Sequence, residues 1–135
     1  PVAIVTTDEL QGNAGAVYDH DSQMLFVRRG MSAPDIFRSV SKELAHAEIA
    51  GMSDNYNRND TAFKAYSASY LLCKKYQIST ADYNFSRLPA SFRESDAQGV
   101  RAALTEIRDS ANQISQRMYR ALDQNRNPRG KEQER

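Results

Sequence analysis

Two side chains in the segment 42–46 have the types and spacing to do chemistry together. The segment reads Lys42-Glu43-Leu44-Ala45-His46, and the apolar periodicity around it predicts a helix. On a helix, residues three apart share a face. In the spacing H-E-x-x-H, two histidines one turn apart bind Zn²⁺ and the glutamate acts as general base on a metal-bound water. This segment keeps that glutamate and the second histidine, with a lysine in place of the first.

The lysine argues against a working metal site. A catalytic zinc ion needs three protein ligands and one open position for water. An ammonium group at Lys42 would add positive charge where a dication should sit. We therefore expect no zinc and no other cofactor at physiological concentrations, which leaves Glu43 as a base without a metal-bound water.

A hydrogen-bonded network is expected in place of the metal. The polar stripe that flanks the apolar face of this helix consists of Ser39, Lys42, Glu43 and His46. We expect Lys42 to pair with Glu43, and the hydroxyl of Tyr66 to reach His46 or Glu43, so that each buried group is satisfied. The alternative is a half-exposed histidine with no role and a solvated lysine–glutamate pair.

The first thirty residues have the pattern of a small sheet. Short apolar runs separated by turn residues predict strands over 2–7, 14–18 and 24–28. About five residues of turn chemistry join the last two runs and predict a hairpin. We therefore expect about three antiparallel strands at the amino-terminal end.

Three main helices are predicted after the sheet. Ser32 has the residue type of an N-cap, and Gly51 ends the apolar stripe that follows it. A second helix is expected over 61–76, and an ordered loop pinned by aromatic side chains over 77–93. The longest helix opens at Ser95. The sequence thus predicts an α+β fold, with the small antiparallel sheet packed on three main helices.

The second predicted helix carries the most specific pattern. Residues 65–80 read A-Y-S-A-S-Y-L-L-C-K-K-Y-Q-I-S-T. This stretch resembles A-E-S-V-A-Y-V-V-C-x-x-F-G-L-D-T of ArdC-type antirestriction proteins and related proteins of mobile genetic elements. Their carboxyl-terminal domain is a zinc-peptidase-like domain of the ImmA/IrrE kind. The resemblance spans residues 14–122 in its order of elements, and it implies a zincin-like fold and a larger parent protein.

The resemblance also implies where metal ligands would lie, and the chain departs from the pattern there. Members of the family carry a carboxylate ligand in the second helix. The corresponding positions in this chain are Thr61, Ala62, Lys64 and Tyr66. None of these is a carboxylate, so Lys42, His46 and Tyr66 are expected to be vestigial metal-site positions.

Two functions from different classes follow. The first is a noncatalytic, zincin-like module that binds an unknown protein or a neighbouring domain of the parent chain, or has a purely structural role there. The second is an active zinc-dependent metallopeptidase. It would use Glu43, His46 and a further ligand such as Asp60, His20 or Glu48.

Composition limits the partners further. The chain of 135 residues has 18 Lys+Arg and 17 Asp+Glu, a net charge of +1. This balance makes nucleic acid an unlikely partner for the domain alone. No apolar run is long enough to span a membrane. The single cysteine, Cys73, lies in an apolar stretch, which predicts a buried thiol in a reducing compartment such as the cytoplasm.

The ends of the chain suggest how the domain is bounded. The chain begins at Pro1 without a methionine, which we interpret as a domain cut from a longer protein. Residues 125–135 contain no apolar side chain and are expected to be a disordered tail or linker. The predicted domain therefore covers residues 1–124.

Overall fold

The computed structural model describes the backbone of residues 2–133 and the side chains of residues 2–121. Three strands come first, and four helices follow. In chain order the elements are β1 (Ala3–Thr7), β2 (Ala16–Asp19), β3 (Met24–Arg28), α1 (Ala33–Ala50), α2 (Arg58–Lys75), α3 (Ala90–Arg93) and α4 (Ala97–Gln133). The predicted α+β class, with a small amino-terminal sheet against three main helices, is confirmed.

The sheet is mixed, whereas the sequence predicted antiparallel strands throughout. Its order is β1-β3-β2, with β2 antiparallel to β3 as the expected hairpin and β1 parallel to β3. The parallel pairing arises because the segment 8–15 carries the chain past the end of β3 to the far side of the sheet. Arg28 holds this segment by donating to the carbonyl oxygens of Leu10, Gly12 and Ala14 at 2.8–3.0 Å.

The first helix begins and ends as predicted. Ser32 is the N-cap of α1, and its hydroxyl accepts the backbone N–H of Asp35 at 3.3 Å. Gly51 follows the last turn. The second helix begins at Arg58, three residues before the predicted start, because Asn57 caps it by accepting the N–H of Asp60 at 3.1 Å.

Small side chains allow α1 and α2 to approach closely. Ala45 of α1 and Ala65 and Ala68 of α2 are fully buried. They join Leu72 and the α4 residues Ile107, Ala111 and Ile114 in one core cluster. The burial of these apolar groups on three helices provides the main hydrophobic stabilisation of the helical layer. We call this cluster the alanine-rich core.

The loop between α2 and α4 is ordered by aromatic contacts, as predicted, and contains the short helix α3. The hydroxyls of Tyr83 and Ser69 lie 2.6 Å apart, and Tyr83 also contacts Cys73, which is buried as expected. The ring of Phe92 packs on Phe63 at 5.3 Å between centroids. This loop therefore packs against α2.

The last helix is longer than composition suggested. Its backbone is helical to Gln133, so it includes most of the residues 125–135 that were expected to be a disordered tail. The division of the chain at residue 124 stays a prediction. Within the described helices, none has both the length and the apolar character needed to cross a bilayer.

Candidate functional site

Glu43 is the most deeply buried charged residue near the predicted site, with an exposed fraction of 0%. Both carboxylate oxygens are engaged by the Arg58 guanidinium, with Nη1 donating to Oε1 at 2.8 Å and Nη2 to Oε2 at 3.0 Å. The backbone N–H of Tyr18 also donates to Oε1 at 2.8 Å. A buried carboxylate requires such compensation, and a two-pronged arginine pair provides it with fixed geometry.

This pairing connects three elements. Glu43 lies in the middle of α1, Arg58 is the first residue of α2, and Tyr18 belongs to β2. The Tyr18 N–H lies at the free edge of the sheet and faces away from β3. It is therefore free to donate to the Glu43 side chain. One carboxylate therefore fixes the sheet and the second helix to α1.

His46 lies one turn farther along α1 and is 2% exposed. Burial is the largest cause that lowers the pKa of His46 to about 4, and the charges of Arg58 and Lys42 act in the same direction, against that of Glu43. The imidazole is therefore neutral at pH 7. Its Nδ1 lies 3.0 Å from the hydroxyl oxygen of Tyr56.

The tautomer of His46 is assigned from its neighbour. Burial raises the pKa of Tyr56, so this phenol is protonated at pH 7 and can donate to Nδ1. Taking the Tyr56 hydroxyl as the donor, we assign the imidazole proton of His46 to Nε2. The polar cluster at the site thus consists of Tyr18, Glu43, His46, Tyr56 and Arg58, and we call it the Glu43 cluster.

The other predicted network members lie elsewhere. Within the described residues Lys42 forms no ion pair, so the predicted pairing with Glu43 is wrong. Arg58 takes both oxygens of the Glu43 carboxylate, and Lys42 lines the cleft instead. Ser39 lies against Gly15, where an added side chain would collide with the serine hydroxyl. Tyr66 accepts the backbone N–H of Asn84 at 2.6 Å, not a bond from His46 or Glu43.

The second-helix positions implied by the resemblance divide into two groups. Ala62 and Tyr66 line a cleft with His46, whereas Thr61 is buried in the helical layer. Lys64 points to α4 and pairs with Glu106 at 2.7 Å. Ala62 and Tyr66 are therefore the two positions from which an added carboxylate would enter the cleft.

The further ligands considered for an active peptidase do not converge on His46. Glu48 pairs with Arg117 of α4 at 2.6 Å. His20 accepts from or donates to the Tyr18 hydroxyl at 3.1 Å and contacts the ring of Tyr56. Asp60 is exposed in the first turn of α2. Among the described residues, no group of three or more His, Cys, Asp or Glu side chains is close enough together to hold a metal ion.

The cleft itself has a volume of about 370 Å³ and is open to solvent. It lies beside His46, between α1, the start of α2 and the loop after α2. Its lining consists of Lys42, His46, Arg58, Asn59, Ala62, Phe63, Tyr66, Asn84 and Arg87. None of these residues is acidic, so the cleft presents cations and amides around a neutral imidazole.

Sequence reasoning missed the two residues that complete the cluster. Tyr56 and Arg58 lie in the polar stretch 53–60, which has the composition of a connection. A signal for Arg58 was present, because Asn57 has the residue type of an N-cap and would place it in the first turn of a helix. The Tyr18 contact uses a backbone group, for which a sequence gives no residue-type signal.

Searches of protein-family models, curated proteins and solved structures returned no match to this chain. The resemblance to ImmA/IrrE-type domains therefore stays a prediction.

Proposed function

We propose that this chain is a noncatalytic, zincin-like domain in which the glutamate of a former metal site has become a structural ion pair. The observation that carries the proposal is the complete engagement of Glu43 by Arg58 and the Tyr18 amide. The resemblance in residues 65–80 supports the family. The structural pair supports the loss of catalysis.

A general base must hold a lone pair toward the water that it deprotonates. Glu43 is fully buried and receives three hydrogen bonds from protein donors. Freeing one oxygen would require breaking the arginine pair and leaving a buried charge without compensation. The carboxylate is therefore arranged to hold the fold together, not to accept a proton from solvent.

The charges around His46 also oppose a dication. Lys42 and Arg58 both line the cleft next to this imidazole, and both lower its pKa. A Zn²⁺ ion bound there would be repelled by the same two groups. His46 would be its single ligand among the three vestigial positions.

The proposed use of the domain is to bind another protein or a neighbouring domain of a larger chain. Support comes from the opposite edge of the sheet, where β1 has no partner on its outer side within the described residues. Ile4 and Val5 of this strand are 53% and 39% exposed. Apolar side chains on an open edge strand favour protein contacts. A reducing compartment such as the cytoplasm fits the single buried thiol of Cys73.

Catalysis is tested by comparing the wild-type chain with Glu43→Gln in a peptide-release assay on a denatured protein substrate, with and without added zinc. We expect equal, background release from both, because Glu43 does not contact solvent. Release by the wild-type chain above that of the variant, abolished by a chelator, would instead support the active peptidase.

Metal binding is tested by elemental analysis of the wild-type chain and of Lys42→His combined with Ala62→Glu. We expect no stoichiometric zinc in the wild-type chain and a gain of zinc in the double variant, since the new side chains would line the same cleft as His46. One zinc per wild-type chain, lost in His46→Ala, would overturn the proposal.

Contact formation at β1 is tested by placing a photoreactive amino acid at position 4 in the full parent protein. We expect cross-links from this position and none from position 119, where Tyr119 of α4 is 70% exposed. Equal cross-linking from both positions would indicate that exposure alone, and not the β1 edge, determines contact.

A further inference from the structure

The cleft beside His46 is cationic. Lys42, Arg58 and Arg87 line it, and the lining contains no carboxylate. Arg58 is paired with the buried Glu43, but neither Lys42 nor Arg87 forms an ion pair with any side chain that the structure describes. The three cations and Glu43 together leave a charge of +2 at the cleft, a property that the loss of a metal site does not require.

His46 adds a neutral donor to this charge. Its Nδ1 contacts the Tyr56 hydroxyl, and its proton is assigned to Nε2, which has no hydrogen-bond partner in the described part of the chain. The side chain is 2% exposed and lines the cleft. Among the described residues, Ser110 Oγ is the fully buried side-chain atom that lacks a hydrogen-bond partner. Nε2 of His46 also lacks a partner but is not in that group, so it is not completely closed off from solvent. A nearly buried N–H at the wall of a cleft is available to an acceptor that enters it.

We propose that this cleft binds a phosphoryl group. A phosphate monoester presents only acceptor oxygens and carries a charge near −2 at neutral pH, which matches both the donor character and the net charge of the cleft. Lys42 would act as a point charge and Arg87 as a two-pronged donor. His46 Nε2–H would supply a directed hydrogen bond. A carboxylate would balance only half of the charge.

The shape of the cleft also limits what the phosphoryl group can be attached to. The cleft is open on one side and holds about 370 Å³, enough for a phosphoryl group whose carrier extends toward solvent. Phe63 and Tyr66 form an apolar wall beside the cations. The phosphoryl group could be free, on a small molecule or on a modified side chain. This inference does not depend on the proposed protein contacts at β1.

The test is calorimetric titration of the whole chain with inorganic phosphate at pH 7.5 and low ionic strength. Lys42→Gln and Arg87→Gln should each weaken binding about tenfold, since each removes one charged donor. The matched control is Lys74→Gln, at an exposed lysine of the same helix as Arg58 that lies over the Tyr70 ring. It should change the affinity by less than about twofold.

Nitrogen-15 spectra of the imidazoles locate the ligand. Phosphate should shift the Nε2 resonance of His46 and leave that of His20 unchanged. Tighter binding of a nucleoside monophosphate than of inorganic phosphate would support a small-molecule source that uses the aromatic wall, and tighter binding of a phosphoserine peptide would support a modified side chain.

Three results would overturn the proposal. The first is the absence of saturable phosphate binding by the folded wild-type chain. The second is equal affinity in Lys42→Gln, Arg87→Gln and the control. The third is acetate binding as tightly as phosphate at the same ionic strength.

Discussion

The Glu43 cluster and the alanine-rich core both join α1 to α2, but by different means. In the core, Ala45, Ala65 and Ala68 are small enough to bring the two helices together, and no polar group needs a specific partner. In the cluster, Glu43 is tolerated only because Arg58 and a backbone amide reach it. The core depends on size and the cluster on exact partners, so the two should respond differently to substitution and to pH.

Removing the cation of the cluster should have the largest effect. Arg58→Met keeps most of the apolar stem and leaves the Glu43 charge buried, so the free energy of unfolding should fall by about 4 kcal/mol at pH 7. The measurement is urea denaturation. The control is Arg29→Met, which breaks an ion pair with Asp8 in which both side chains are exposed and should cost less than about 1 kcal/mol. Equal losses in the two variants would contradict the difference in burial.

The cluster should also make stability depend on pH through His46. The folded-state pKa of His46 is about 4, below the usual histidine value of 6.5, so between these values the unfolded chain binds more protons than the folded one. Stability from this group is complete above pH 6.5 and is lost as the pH falls toward 4, by roughly 3 kcal/mol.

The dependence of the free energy of unfolding on pH is checked by denaturation of the wild-type chain and of His46→Gln from pH 7 to pH 4. The variant should lack this part of the slope, whereas His20→Gln should keep it. Parallel curves for the wild-type chain and His46→Gln would show that His46 is not held neutral.

The core should respond to size and not to pH. Ala68→Leu places a larger side chain where the exposed fraction is zero, and overpacking should lower the free energy of unfolding by about 2 kcal/mol. The same change at the exposed Ala62 of the same helix should have little effect. A loss for Ala68→Leu that varied between pH 7 and pH 5 would mean that the helices are not joined there by packing alone.

Substitutions at two separate buried serines, Ser110 and Ser69, should have the smallest effects on stability. The hydroxyl of Ser110 is buried and, among the described atoms, has no hydrogen-bond partner, so Ser110→Ala should be neutral or raise stability by about 1 kcal/mol. Ser69 contacts the hydroxyls of Ser41 and Tyr83 at 2.7 and 2.6 Å. Ser69→Ala should therefore lower stability by about 1 kcal/mol. Thermal denaturation would detect a reversal of these signs.

Local features of the fold could be predicted from the sequence. Ser32 caps α1 through a bond to a residue three positions away, and the β2–β3 hairpin is set by its own turn. The parallel pairing of β1 could not be predicted, since it depends on Arg28 holding a distant segment. Residue types specify short-range partners well, but they do not specify which carbonyl oxygens an arginine side chain reaches.

The candidate site also has features that the sequence could predict and features that it could not. The burial of Glu43 and His46 together on α1 was expected from their spacing, and the resemblance directed attention to Ala62 and Tyr66 of α2. The partners of the buried pair were not predicted, because they come from residues 56 and 58 and from a backbone N–H. The expected Lys42–Glu43 pair is wrong because Arg58, a residue distant in sequence, takes both oxygens of the carboxylate.

The Arg58–Glu43 pair also restricts how this sequence can change over evolutionary time. Under the proposed function, regaining peptidase activity requires the loss of Arg58, which would free Glu43, as well as the gain of metal ligands at positions 42 and 62. Losing Arg58 first would remove about 4 kcal/mol from a stability that is commonly only about 5–15 kcal/mol. Gaining ligands first would leave the glutamate still occupied by its arginine. Each single step is therefore costly or without benefit, so the Arg58–Glu43 pair makes a return to a catalytic site improbable.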